Sequence, residues 1–172
     1  MSWWKTAMFD TCSLITLDKL LLDRPSLSRQ FPSGILALTE SFTTDQMREE
    51  TSERMRERVT LQELPSTADL AALLSAVKLS RALAAVDTLV YATAVHARLS
   101  VVTGDKRLAR AISGQGLHVG KMALILRELV TGKRLTQKAC ENVLVALAAR
   151  KDFILGLPNP TWDDLKDYTF PN

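Results

Sequence analysis

Apolar positions along the chain fall into two alternating patterns, short continuous runs and longer stretches at helical spacing. The run at 6–9 is too brief for a helix and predicts a buried first strand. Leu14, Leu17 and Leu21 then recur at helical spacing over 13–22, and Asp23-Arg24-Pro25 ends that helix. Ile35, Leu36, Leu38 and Phe42 predict a second strand within 34–42. Thr43-Thr44-Asp45 supplies N-cap chemistry for a charged helix running to about Arg58. Leu64-Pro65-Ser66-Thr67 breaks the chain before an Ala/Leu-rich helix over 68–83, with Leu70, Leu73, Leu74 and Val77 on one face. A helix over 88–99 leads into a third strand at 100–103. A helix over 106–112 and a fourth strand at 117–119 follow.

Strands alternating with helices of this size predict an α/β fold with a mostly parallel sheet and helices on its faces. The last third changes character. Helices are expected over 121–131, ended by Gly132, and over 136–150, with Val143, Leu144 and Leu147 apolar. Residues 153–157 read as an edge strand or a loop, and the proline-punctuated tail 158–172 carries Trp162 and Tyr168. With no repeat, low-complexity tract or linker, the expectation is one domain over 1–172: a core of about 6–120 and a helical extension over 121–172.

Composition narrows the class. At 172 residues, 47% hydrophobic and 24% charged, the chain has the values of a globular domain with one sizeable core. Its net charge of +3 permits a polyanionic partner without requiring one. Apolar runs fall short of the roughly 18–20 residues of a membrane span, and the first residues lack the apolar region of a secretory signal. Cys12 and Cys140 stand far apart, with neither a CxxC pair nor a histidine cluster. Reduced thiols in a cytoplasmic protein are therefore expected, and a structural zinc site is disfavoured.

The candidate chemistry lies in the acids. Ligands of open parallel sheets collect beyond the carboxyl ends of the strands. Asp10 and Asp105 each lie just past a predicted strand, and Asp87 opens the helix feeding the third strand. Convergent carboxylates make a poor core, but they suit a hard divalent cation that keeps several waters. Such a cation would offset their mutual repulsion and support phosphodiester hydrolysis. Taken singly, Asp10 reads equally well as an Asx-turn residue, Asp87 as an N-cap and Gly104-Asp105 as a turn. Their joint placement carries the argument.

The blocks Phe9-Asp10-Thr11-Cys12-Ser13-Leu14-Ile15, Asp87-Thr88-Leu89-Val90-Tyr91-Ala92-Thr93-Ala94 and Val101-Val102-Thr103-Gly104-Asp105-Lys106-Arg107-Leu108 resemble the PIN domain family over about residues 6–120. The style is closest to the VapC-like ribonucleases of toxin–antitoxin pairs. The resemblance implies a three-layer α/β/α sandwich and Mg2+- or Mn2+-dependent cleavage of RNA. It makes Asp10, Asp87 and Asp105 three of the metal-holding, catalytic acids. It also implies a glutamate after the second strand, for which Glu50 fits best and Glu40 is the alternative. Glu50 reads equally well as an exposed partner of Arg54. An antitoxin protein as partner is implied by the resemblance alone.

Two features depart from the family pattern. Cys12 stands where serine or asparagine is usual, and a thiol is a weak donor for orienting a ligand or a metal-bound water. The extension over 121–172 exceeds the compact toxin form. Alternatives therefore stand beside the ribonuclease: a PIN-fold module that binds RNA or protein without cutting, and a structure-specific DNA nuclease.

Other features weigh less. Lys106, Arg107 and Arg110 read as phosphate contacts or as a solvated helix face. Thr103 reads as a holder of metal-bound water or as a plain strand end. The glycines over 114–121 fit neither the Walker nor the dinucleotide spacing and read as turns. His96 and His118 lack a nucleophile motif. Trp3 and Trp4 could stack bases, though packing on a partner or the core edge fits better. The helix over 68–83 suits a homodimer contact and an internal role equally.

Overall fold

The structure, a computed structural model, describes residues 1–76 and 83–171. Among these residues, five short strands form one sheet: β1 (Met8–Phe9), β2 (Ile35–Ala37), β3 (Val59–Leu61), β4 (Val101–Val102) and β5 (Val119–Gly120). They run in the order β3-β2-β1-β4-β5, and every pairing is parallel. The helices are α1 (Thr11–Asp23), α2 (Glu49–Arg56), α3 (Thr67–Ala76), α4 (Ala85–Ala97), α5 (Lys106–Ser113), α6 (Met122–Thr131), α7 (Gln137–Ala149) and α8 (Trp162–Lys166).

The period-2 alternation of strand side chains divides the core into two layers. Phe9, Ile35, Ala37 and Val102 face one side, where Leu14, Leu17 and Leu20 of α1 meet Ile125, Leu126 and Leu129 of α6 and Val143, Leu144 and Leu147 of α7. Met8, Val101 and Val119 face the other side, against Val90, Tyr91 and Ala94 of α4 and Leu108 and Ile112 of α5. The result is the expected α/β/α sandwich. Both faces of the sheet are covered at β1 and β4, so these strands read as continuous apolar runs.

Several boundaries differ from expectation. The strand expected over 34–42 stops at Ala37, and the chain closes into a 3-10 turn over Thr39–Phe42. Thr43 Oγ1 donates to Glu40 O at 3.0 Å. That hydroxyl is thus spent on the turn, and α2 begins only at Glu49, with Arg48 at its N-cap position and no side-chain cap. β3 was not expected: it is a half-exposed edge strand whose Leu61 faces solvent, so it lacks the apolar signature of its neighbours. Residues 153–157 contain no strand, and the tail carries the short helix α8. The helix expected over 68–83 is seen as α3, which packs on α4 with Leu70, Leu73 and Leu74 half-buried. Val77 lies outside the described residues.

The tryptophans pack on this chain. Trp4 is fully buried, with its ring 5.2 Å from that of Phe31. Trp3 lies over β5, so close that a Cβ on Gly120 would sit 2.4 Å from its Cη2. Gly120→Ala is accordingly expected to cost about 1–3 kcal/mol, read as a lowered Tm. In a Trp3→Ala background the same substitution should be nearly neutral. An equal penalty in both backgrounds would place the strain elsewhere.

Candidate active site

The strand order turns back between β1 and β4: the chain leaves β1 for α1 on one face and β4 for α5 on the other. A crevice opens where such connections diverge; Asp10 directly follows β1 on one side of it, and Asp105 comes three residues after the end of β4 on the other.

Asp10 follows β1 and is the N-cap of α1, where its Oδ1 accepts the Ser13 amide at 2.7 Å. Its Oδ2 accepts a short hydrogen bond from Thr103 Oγ1. That hydroxyl in turn accepts the Asp105 amide at 3.0 Å. Thr103 is fully buried, and its hydroxyl is committed to tying the end of β4 to the end of β1. Ser13 Oγ adds a bond to Val102 O at 3.0 Å. Asp105 is the N-cap of α5, where Oδ1 accepts the amides of Arg107 at 2.6 Å and Leu108 at 2.9 Å. Each acid is therefore held by a helix start, which fixes its direction. Asp87 lies in the first turn of α4 rather than at the expected N-cap, which Ala84 occupies without a side-chain bond.

Electrostatics brings the three aspartates into one group. Burial pushes the Asp10 carboxyl above the ordinary carboxylate range against the pull of Thr103 and Ser13, and Asp105 adds to the rise. Asp87 is pushed up to about 6, first by burial and then by Asp10 and Asp105. The Cys12 thiol is pushed up to about 11, first by desolvation and then by Asp10, Asp87, Asp105 and Asp152. Cys12 is therefore protonated at neutral pH. Its Sγ lies 3.6 Å from Gln46 Oε1 and donates to it.

Asp152 has no counterpart in the sequence reading. It follows α7, accepts Thr16 Oγ1 at 2.9 Å and pairs with Lys19 at 3.2 Å. A cavity of about 330 Å3 joins it to Cys12, Asp105 and Lys121, roofed by Phe153 and Ile154. No acid spacing or motif marks Asp152. The only signal for it was the extension itself.

Glu50, in the first turn of α2, lines a neighbouring cavity of about 610 Å3 with Asp18, Arg48 and Arg54. The expected Glu50–Arg54 pair is replaced, because Arg54 grips buried Asp18 through Nε–Oδ1 at 2.8 Å and Nη2–Oδ2 at 2.7 Å. Glu40 stands in the turn directly after β2, whose Ser41 carbonyl accepts Thr11 Oγ1 at 3.3 Å. That places the Glu40 turn beside the start of α1.

The donor set suits a hard divalent cation: buried or half-buried carboxylates, two of which, Asp10 and Asp87, are pushed above the ordinary carboxylate range. Among the described residues, no three His, Cys, Asp or Glu side chains close up into a direct ligand group. A cation would thus be held partly through water, as magnesium commonly is. Also among the described residues, no helix is long and apolar enough to cross a membrane.

No curated protein matches the chain. The family model of the PIN domain matches residues 37–112, from β2 to α5, and so spans Glu40, Glu50, Asp87 and Asp105. PIN domains are typically divalent-metal-dependent nucleases. The match over these residues and the all-parallel sheet between helical layers together support a PIN-like α/β/α fold.

Proposed function

We propose that this chain is a divalent-metal-dependent endoribonuclease whose metal-holding acids are Asp10, Asp87 and Asp105. One observation carries the reading: Asp10 and Asp105, each fixed at a helix start and tied together through Thr103, stand at the switch point of a parallel sheet, and their charges push up the carboxyl of Asp87 on α4. Magnesium or manganese bound there supplies charge stabilisation for the phosphodiester and a water more acidic than bulk. The protein's part is to hold the acids in place. Thr103 and Ser13 fix Asp10, the α5 amides fix Asp105, and the half-buried Asp87 completes the set. Matched RNA and DNA strands incubated with manganese test the substrate: RNA is expected to be cut preferentially, and equal cutting of both would favour a DNA or general nuclease. A toxin role beside an antitoxin protein is suggested by the resemblance to VapC-like ribonucleases. A small DNA-binding protein in the adjacent reading frame would support it.

Glu40 and Glu50 compete for the fourth acid. The position of Glu40 just past β2, beside the strand that ends in Asp10, favours it over Glu50. Glu40→Gln is expected to lower cleavage at least about tenfold, and Glu50→Gln less than threefold. The reverse order would restore Glu50.

A second reading, a module that binds RNA without cutting, is favoured by the lack of a direct ligand group among the described residues. Calorimetric titration with manganese separates the two. Heat that saturates below millimolar metal supports the nuclease, and none at that concentration supports the binding module.

A further inference from the structure

Lys121 follows β5, the N-cap position of α6, on the same carboxyl edge of the sheet as Asp10 and Asp105. Its stem passes over Gly104, where an added Cβ would lie 4.0 Å from Lys121 Cε. The side chain is half-buried in the wall of the cavity that holds Asp105 and Asp152. Among the described residues, no carboxylate lies within 4.0 Å of its ammonium. Asp152, one of the two acids sharing its cavity, is bonded by Thr16 and Lys19 and attracts Lys121 only at longer range. What Lys121 does meet is aromatic: its Nζ lies 5.8 Å from the ring centroids of both Tyr168 and Phe170. Tyr168 packs against the α1–α6–α7 layer and Phe170 against the α4–α5 layer, so the tail spans both halves of the core on either side of this one cation.

Partial burial of a cation is costly unless an anion or strong acceptor attends it. Two π-faces near the limit of useful range offset only part of that cost. A cation beside an acidic site, held by rings, with Asp152 attracting it only from beyond 4.0 Å and Lys106 repelling it, is arranged to receive an anion from outside. We propose that Lys121 is a substrate-binding residue that takes a backbone phosphate of single-stranded RNA next to the bond placed at the aspartates. The inference deepens the ribonuclease reading and rests on it for the identity of the substrate. The C-terminal segment serves this site by holding Lys121 through Tyr168 and Phe170.

The test is fluorescence polarisation of a labelled single-stranded RNA in EDTA over a series of KCl concentrations, with Tm recorded for each variant. Lys121→Met keeps the stem and removes the charge. It is expected to raise Kd about three- to tenfold and to shallow the slope of log K against log[salt] by about 0.7. Lys121→Arg is expected to restore both, and Phe170→Leu, which loosens the hold on Lys121 but leaves the charge, to raise Kd by less than Lys121→Met and to keep the native salt slope. In manganese, the Lys121→Met loss should appear mainly in KM. Native affinity and slope in Lys121→Met would overturn the proposal, as would a Phe170→Leu loss equal to that of Lys121→Met, which would trace the effect to tail packing. The two readings fail separately. A native chain that cuts RNA while Lys121→Met binds normally sinks only Lys121. A native chain that never cuts, with binding that depends on Lys121, sinks only the nuclease.

Discussion

Asp10→Asn and Asp105→Asn are each expected to lower manganese-stimulated RNA cleavage by well over about a hundredfold while leaving the fold intact. The magnitude follows from rank. Groups that only orient a metal ligand typically cost about 10–100-fold when removed, and the ligands themselves cost more. The fold should survive because asparagine also caps helices: Asp10 accepts the Ser13 amide, and Asp105 accepts two α5 amides through one oxygen. Thr103→Val should fall in the lower range, since its hydroxyl orients Asp10, and Thr103→Ser should recover most of the loss. The measurement is a time course on labelled RNA with matched circular dichroism. Cleavage retained in Asp105→Asn would assign the activity to other residues or to a contaminant.

The metal-free protein is expected to lose stability as pH rises from about 4 to 6, and manganese to restore it. Asp10 and Asp87 both hold a proton more tightly folded than at the ordinary 3.8, Asp87 up to about 6. In that window the folded chain carries more protons than the unfolded one, so unfolding becomes easier with rising pH. Above about pH 6, Asp87 is ionised in both states and its share of the slope ends. Asp87 is only half-buried, so solvent screening limits its share to a few degrees of Tm. Asp164, held below the usual carboxylate range by its bonds from Thr161, pulls the other way, so the informative quantity is native minus Asp87→Asn. That difference should be negative at pH 7 without metal. With manganese at about a hundred times its Kd, the native chain should gain about 2.7 kcal/mol at pH 7, and the gain should shrink below pH 5. A native Tm at or above that of Asp87→Asn in EDTA at pH 7 would mean the aspartates do not repel one another.

Much of this arrangement was legible because the segments bearing the aspartates are locally consistent. Met8–Phe9 and Val101–Val102 are buried on both faces, so their apolar runs announce strands and the acids after them stand out. Other parts were hidden for physical reasons. β3 is a half-exposed edge strand without an apolar run. The charged helix contains several acids, and sequence spacing cannot show that Arg54 turns to Asp18 rather than to Glu50. Asp152 and Lys121 reach the cleft from the extension by tertiary packing, which leaves no periodic trace.

That packing has a consequence for how the protein comes into being. On the ribosome every strand of the sheet is made before Asp152, Phe153 and Ile154, and well before Tyr168 and Phe170. Domains generally gather from the N-terminal side during translation, so the aspartates can assemble while one wall of their cleft has yet to emerge from the exit tunnel. A nascent chain would own its acids before it owned a finished grip on RNA.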